Sequence, residues 1–103
     1  MMQVINRKLY NTETADQLAQ YAPNWDKSDF HYLIETLYKT EDGMYFLHGE
    51  GGAGTEYGTK CNGARTGSQE IIPLTDDEAL DWCEERKIDG EIVVAEFEHL
   101  IET

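Results

Sequence analysis

FHYLIETLYKTEDGMYFLH, residues 30–48, decides the fold. Two runs rich in Tyr, Phe, Ile and Leu flank Glu41-Asp42-Gly43. Asp-Gly between such runs is a strong hairpin signal, because the turn needs a positive φ that glycine adopts without steric cost. The stretch predicts two antiparallel strands joined at Gly43, although residues 30–34 fit a helical turn leading in equally well. A central hairpin implies a small, mainly antiparallel sheet, and the flanking segments are read by what they add to it.

Directly after the hairpin, HGEGGAG (residues 48–54) matches G-x-G-x-x-G through Gly49, Gly51 and Gly54. A dinucleotide fingerprint needs more than glycines: the turn must open a helix whose N-terminus receives the pyrophosphate, inside a βαβ unit. The residues that follow, TEYGTKCNGARTGSQ, have no amphipathic period, and Glu50 and Glu56 repel phosphate. Gly58-Thr59-Lys60 has the wrong order for a P-loop. The nucleotide reading fails. Eight of the nine glycines fall between Gly43 and Gly67, and the span 49–69 is almost free of apolar residues. It predicts a long flexible loop, with Tyr57, Lys60 and Arg65 available to reach a partner.

EIIPL (residues 70–74) returns to strand character, with Pro73 at a strand end or edge because it lacks an N–H. Thr75-Asp76-Asp77-Glu78 then reads as a helix start, Thr75 capping and Glu78 closing a capping box. Ala79, Trp82, Cys83 and Arg86 mark its inward face, with Leu80 on the flank and Arg86 and Lys87 in the last turn. Asp89-Gly90 breaks the chain. In EIVVAEFEHLIE (residues 91–102), Val93, Phe97, Leu100 and Ile101 fit a helical stripe and predict a second helix, while Ile92-Val93-Val94 also fits a strand.

Upstream, QVINRKLY (residues 3–10) reads as one strand. NTETADQLAQYAP (residues 11–23) predicts a helix capped at Thr12 or Thr14, with Ala15, Leu18, Ala19 and Ala22 on one face and Pro23 ending it. Trp25, in the polar connection NWDKSD (residues 24–29), is read as a plug from surface to core in preference to a platform for a ligand. The fold class is thus α+β, one small domain over residues 1–103. A mainly antiparallel sheet around the central hairpin carries two or three short helices on one side and a long Gly-rich loop, 49–69.

Charge bounds the function. Twenty-one acids against eight bases give −13. Residues 70–103 alone hold twelve acids against Arg86 and Lys87, a net −10. Such a field repels nucleic acid and anionic membranes and attracts basic protein surfaces. Cys61 and Cys83 are not in C-x-x-C spacing, Cys83 being read as a small buried hydrophobe and Cys61 as an incidental loop thiol. His31, His48 and His99 have no zinc spacing. Asp76, Asp77, Glu78 and Asp81 are explained by helix capping rather than by a metal. Ser28 and Ser68 have no His and acid at a recognisable spacing, and His48 stands alone as a conceivable acid/base group. No cofactor, metal site or catalytic residue is expected. The longest apolar runs fall far short of the roughly 18 residues of a membrane span, and the N-terminus lacks a signal-peptide pattern. A cytoplasmic protein is expected.

Tyr10-Asn11-Thr12-Glu13-Thr14-Ala15, Leu37-Tyr38-Lys39-Thr40, Gly43, Tyr45-Phe46-Leu47-His48-Gly49-Glu50-Gly51-Gly52, Ile71-Ile72-Pro73-Leu74-Thr75, Glu78-Ala79 and Trp82 form an ordered set over residues 7–87. The set resembles small acidic proteins of Gram-positive bacteria and their phages, plasmids and integrated elements. Some small acidic proteins of such elements act as anti-CRISPR proteins, including inhibitors of Cas9. The resemblance implies that GEGG is a hairpin-exit feature. It also implies a non-enzymatic inhibitor that binds a basic nucleic-acid-binding surface of a CRISPR effector such as Cas9, partly as a DNA mimic. The alternative is a generic interaction or regulatory domain of a phage or plasmid without a CRISPR role. The candidate partner-binding residues are Glu50, Glu56 and Tyr57 of the loop and Asp76, Asp77, Asp81, Glu84 and Glu85 of the acidic helix.

Overall fold

The hairpin expected at Gly43 forms the centre of the sheet. The computed structural model describes residues 1–102. In it, β4 (Leu33–Lys39) and β5 (Tyr45–Gly51) pair antiparallel in unbroken register, Leu37 opposite Leu47. Gly43 takes a φ of 82°, and the amide of Thr40 donates to the Met44 carbonyl at 2.8 Å. Residues 30 and 31 are turn, and the first strand begins at Leu33.

Two further strands complete a four-stranded antiparallel sheet. β8 (Ser68–Leu74) pairs with the free side of β5, and β3 (Asp16–Asn24) pairs with the free side of β4, giving the order β3-β4-β5-β8. Pro73 accordingly sits on an edge strand. β3 corrects the helix read from residues 11–23. Its register slips between Gln17 and Ala19, a bulge that turns the adjacent Leu18 and Ala19 into the same core. Two successive inward residues break the period of 2 and imitate the i, i+3, i+4 spacing of a helix face.

The N-terminal segment is also corrected. It is not one strand but a separate hairpin, β1 (Met2–Ile5) with β2 (Lys8–Asn11), turned at Asn6 and Arg7, both with positive φ. Similarly, the Gly-rich connection between β5 and β8 is not without structure. Its ends belong to those strands, and β6 (Thr59–Cys61) and β7 (Ala64–Thr66) form a small hairpin inside it. Asn62 and Gly63 turn that hairpin with φ of 53° and 82°. Asn-Gly is itself a hairpin signal, here masked by the surrounding glycines and polar residues.

Both helices lie on one side of the sheet. α1 (Asp76–Glu85) has the full capping box: the Thr75 hydroxyl accepts from the Glu78 amide, and the Glu78 carboxylate accepts from the Thr75 amide. The helix ends in a Schellman turn. The Lys87 amide donates to the Glu84 carbonyl and the Ile88 amide to the Cys83 carbonyl. Lys87 holds the left-handed φ of 55° there, a position glycine usually fills. Arg86 caps the helix and Lys87 follows it, so neither basic residue belongs to the last turn. α2 (Gly90–Phe97) starts at Asp89, whose carboxylate accepts from the Glu91 amide, and runs into a short 3-10 turn, Glu98–Leu100. The helical reading of the IVV run holds.

The two sheet faces bury different clusters. Ala19, Leu37, Tyr45 and Leu47 face Ala79, Trp82 and Cys83 of α1 and Phe97 of α2, with Val93, Leu100 and Ile101 packed against them. On the opposite face the β1–β2 hairpin brings Tyr10 onto Phe46 and Ile71, the Tyr10 and Phe46 rings 5.4 Å apart and edge-on. Trp25 overturns its expectation: it is 75% exposed and plugs nothing. The core needed no such plug, since Trp82 and Phe97 already fill the helix side.

Candidate functional site

Glu35 is the residue around which the helix side of the sheet is organised. It shares the inward alternation of Leu33 and Leu37 on β4, so its carboxylate points at the core and is 2% exposed. Three donors converge on it. The Tyr57 hydroxyl donates to Oε2 at 2.5 Å, and the Trp82 indole N–H and the Arg86 Nε–H donate to Oε1 at 3.1 and 2.7 Å. One buried carboxylate thus ties the Gly-rich segment, α1 and the α1 C-cap to the sheet. A buried charge persists only when paired and hydrogen-bonded in this way.

The partners are shaped to fit. Burial first, and the bond to Glu35 second, hold the Tyr57 hydroxyl far above the usual phenol range, so it stays a donor. Burial of Arg86 opposes its charge, but the Glu35 carboxylate more than offsets this and its pKa is raised. The Arg86 guanidinium also lies 4.4 Å from the centroid of the Tyr21 ring. Burial alone pushes the Cys83 thiol up to about 11, as its reading as a small buried hydrophobe implies. Cys61 is exposed.

The glycine pattern that follows the hairpin finds its physical meaning here. A Cβ on Gly49 would collide with the Tyr57 ring, which lies over the β5 backbone on its way to Glu35. The glycine is a seat for an aromatic ring. Arg65 of β7 secures the same segment, its guanidinium donating to the carbonyls of Ala53 at 2.7 Å and Thr55 at 3.3 Å. Arg65 and Tyr57 are therefore occupied internally. Tyr57, 5% exposed, offers no surface to a partner, which corrects its place among the loop contacts.

The acids fall into two groups. Asp76, Asp77, Asp81, Glu84 and Glu85 are all exposed on α1. Asp77, Asp81, Glu84 and Glu85 stand at i, i+4, i+7 and i+8, one continuous helix face. Glu56, also exposed, joins them: its carboxylate is 3.7 Å from the Arg86 Nη2, beside the C-terminal end of α1. Glu50 does not join. It alternates with Phe46 and His48 on the opposite sheet face, half-buried, and pairs with Lys27 at 3.3 Å.

A second carboxylate clamp anchors α2. Glu96 accepts from Lys39 Nζ and from the Tyr45 hydroxyl, both at 2.6 Å. Burial pushes the Glu96 carboxyl upward, but the bonds from Lys39 and Tyr45 outweigh it and its pKa is lowered. His48 bonds the Gln69 side chain at 2.9 Å. Among the described residues no three or more His, Cys, Asp or Glu side chains stand close enough to hold a metal ion, and no helix is long and apolar enough to cross a membrane.

No family model, curated protein or solved structure matches the chain.

Proposed function

We propose that this chain is a non-enzymatic binding protein that occupies a basic, nucleic-acid-handling surface of a protein partner, with α1 standing in for a row of phosphates. The observation that carries the reading is the uncompensated face Asp77, Asp81, Glu84 and Glu85. Acids in the first turn are explained by the helix dipole and the capping box. Acids at the C-terminal end oppose the dipole, and like charges four apart cost about 0.2–0.5 kcal/mol per pair. No base sits in the last turn; beyond it Arg86 is turned inward onto Glu35, and the exposed Lys87 forms no ion pair with these acids among the described residues. The helix keeps charges that weaken it, which fits selection for a charged surface rather than for stability.

An RNA-guided nuclease is the partner class to test first. Such an effector lines its channels with Lys and Arg to hold a heteroduplex and a PAM duplex, and an acidic domain seated there displaces counterions as DNA would. The similarity of residues 7–87 to small acidic proteins of mobile elements favours the same class. The alternative, an accessory domain that binds another basic protein of a phage or plasmid, shares the surface and differs in the partner.

The experiment mixes the protein with a Cas9–guide complex and follows DNA binding and cleavage at two salt concentrations. Inhibition that fades as salt rises, and that is lost when Asp77, Asp81 and Glu85 are replaced by Lys, is the expected result. Unchanged DNA binding and cleavage at low salt removes that effector as the partner.

A further inference from the structure

Trp25 follows the end of β3 and belongs to neither core cluster. It is the most exposed large apolar side chain among the described residues, with Phe30 close to it in sequence at 57%. An indole left in water forgoes the burial that makes Trp so effective in cores and interfaces.

The segment that presents it is nevertheless built with care. The Asp26 amide donates to Asn24 Oδ1 at 3.3 Å, and the Ser28 amide and hydroxyl donate to Asp26 Oδ1 at 3.0 and 2.6 Å. The His31 amide donates to Asp29 Oδ1 at 2.7 Å. The far end is sewn to the Gly-rich segment: the Gly52 amide donates to the Tyr32 carbonyl and the Gly54 amide to the Phe30 carbonyl, both at 2.9 Å. A Cβ on Gly52 would strike the Phe30 carbonyl, so the two segments meet backbone to backbone. A loop ordered before binding loses little entropy on binding. An exposed Trp on such a loop is the setting of an interface hot spot.

Charge selects the ligand. Trp25 and Asp26 line the same open concavity, about 590 Å³, with Pro23, Asn24 and Lys27. Lys27, exposed as Asp26 and Asp29 are, is paired with Glu50 at 3.3 Å, which leaves the two aspartates as the unpaired charges among the described residues of this loop. The Ser28 hydrogen bonds hold the Asp26 carboxyl below the usual carboxylate range. A nucleobase also stacks on Trp, but it brings phosphate into a field of −13. A guanidinium stacks on the indole face and reaches a neighbouring carboxylate in one motion. A Lys ammonium, compact and strongly hydrated, does this less well. The chain uses the same chemistry internally, where Arg86 lies over Tyr21 and pairs with Glu35.

We infer that Trp25 is a docking platform for an arginine side chain of a basic protein partner, with Asp26 as the carboxylate beside it. The inference rests on the proposed function and adds to it a second contact, separate from α1.

Labelled nona-arginine and nona-lysine peptides test it by fluorescence anisotropy, with intrinsic Trp emission recorded in parallel. Trp25→Ala should weaken nona-arginine binding about fivefold or more and leave nona-lysine binding nearly unchanged. The emission change that nona-arginine causes in the parent protein should disappear in the same variant. Because Trp25 is outside the core, circular dichroism and melting of Trp25→Ala should match the parent. Equal loss for both peptides, or no loss for either, overturns the inference while leaving the acidic-surface reading intact. Binding of neither peptide by the parent overturns both. A Trp25-dependent emission change with a thymidine oligomer in place of the peptides makes the platform a nucleobase site and overturns the arginine assignment.

Discussion

On its inward side α1 presents Ala79, Trp82 and Cys83, and on its outward side Asp77, Asp81, Glu84 and Glu85. On the inward side the Trp82 indole and the Arg86 cap both meet Glu35. The outward side has no such pairing among the described residues and carries four like charges along one face. The difference separates what holds this protein together from what it presents. A buried carboxylate is tolerated because three donors surround it, and an exposed one because water does.

Breaking the inward arrangement should have the largest effect. Glu35→Ala leaves the Tyr57 hydroxyl, the Trp82 N–H and the Arg86 guanidinium without their acceptor and should cost about 3–5 kcal/mol in chemical denaturation. Glu35→Gln should cost less, because one oxygen still accepts. If Glu35→Ala unfolds at the parent midpoint, the knot is ornamental and the comparison collapses. Gly49→Ala tests the seat of Tyr57 without touching a charge. Its methyl must displace the ring, and overpacking of that kind costs about 1–3 kcal/mol.

The Glu96 clamp adds a pH signature. Its folded pKa is lowered, so its contribution to stability is fully present above the ordinary value of 4.5 and is lost as pH falls through the folded value. Glu96→Gln should therefore melt below the parent at neutral pH, and the gap should close as the solution is acidified under pH 4.5. A gap that stays constant with pH assigns the effect to packing instead.

The outward side should respond in the opposite sense and most weakly. Glu85→Lys places a cation in the last turn and four residues after Asp81, and should raise stability by about 0.5 kcal/mol. The same change should weaken association with a basic partner, measured by titration at low salt. Destabilisation by Glu85→Lys would mean the face carries a structural role.

Much of this was legible in the chain. The Asp42-Gly43 turn, the capping box at Thr75 and the stripe Ala79, Trp82 and Cys83 are local signals, and each has the form expected. β3 imitates a helix because its bulge places Leu18 and Ala19 side by side in one core, a pattern that the pairing with β4 produces. Trp25 defeats the plug expectation because aromatic content is a statement about composition, not position. Glu35 left a faint mark, a carboxylate on the apolar parity of its strand between Leu33 and Leu37. Its donors lie 22, 47 and 51 positions away, beyond any local window.

Sequence alone determined the charge of −13, the central hairpin and the start of α1, because composition, turn chemistry and capping act within a few residues. Tertiary structure decided which glycine seats a ring, which acid is buried and which are presented, and that Trp25 faces water. Those outcomes depend on groups brought together by the sheet from distant parts of the chain, where the free energy of burial is set by the partners that arrive.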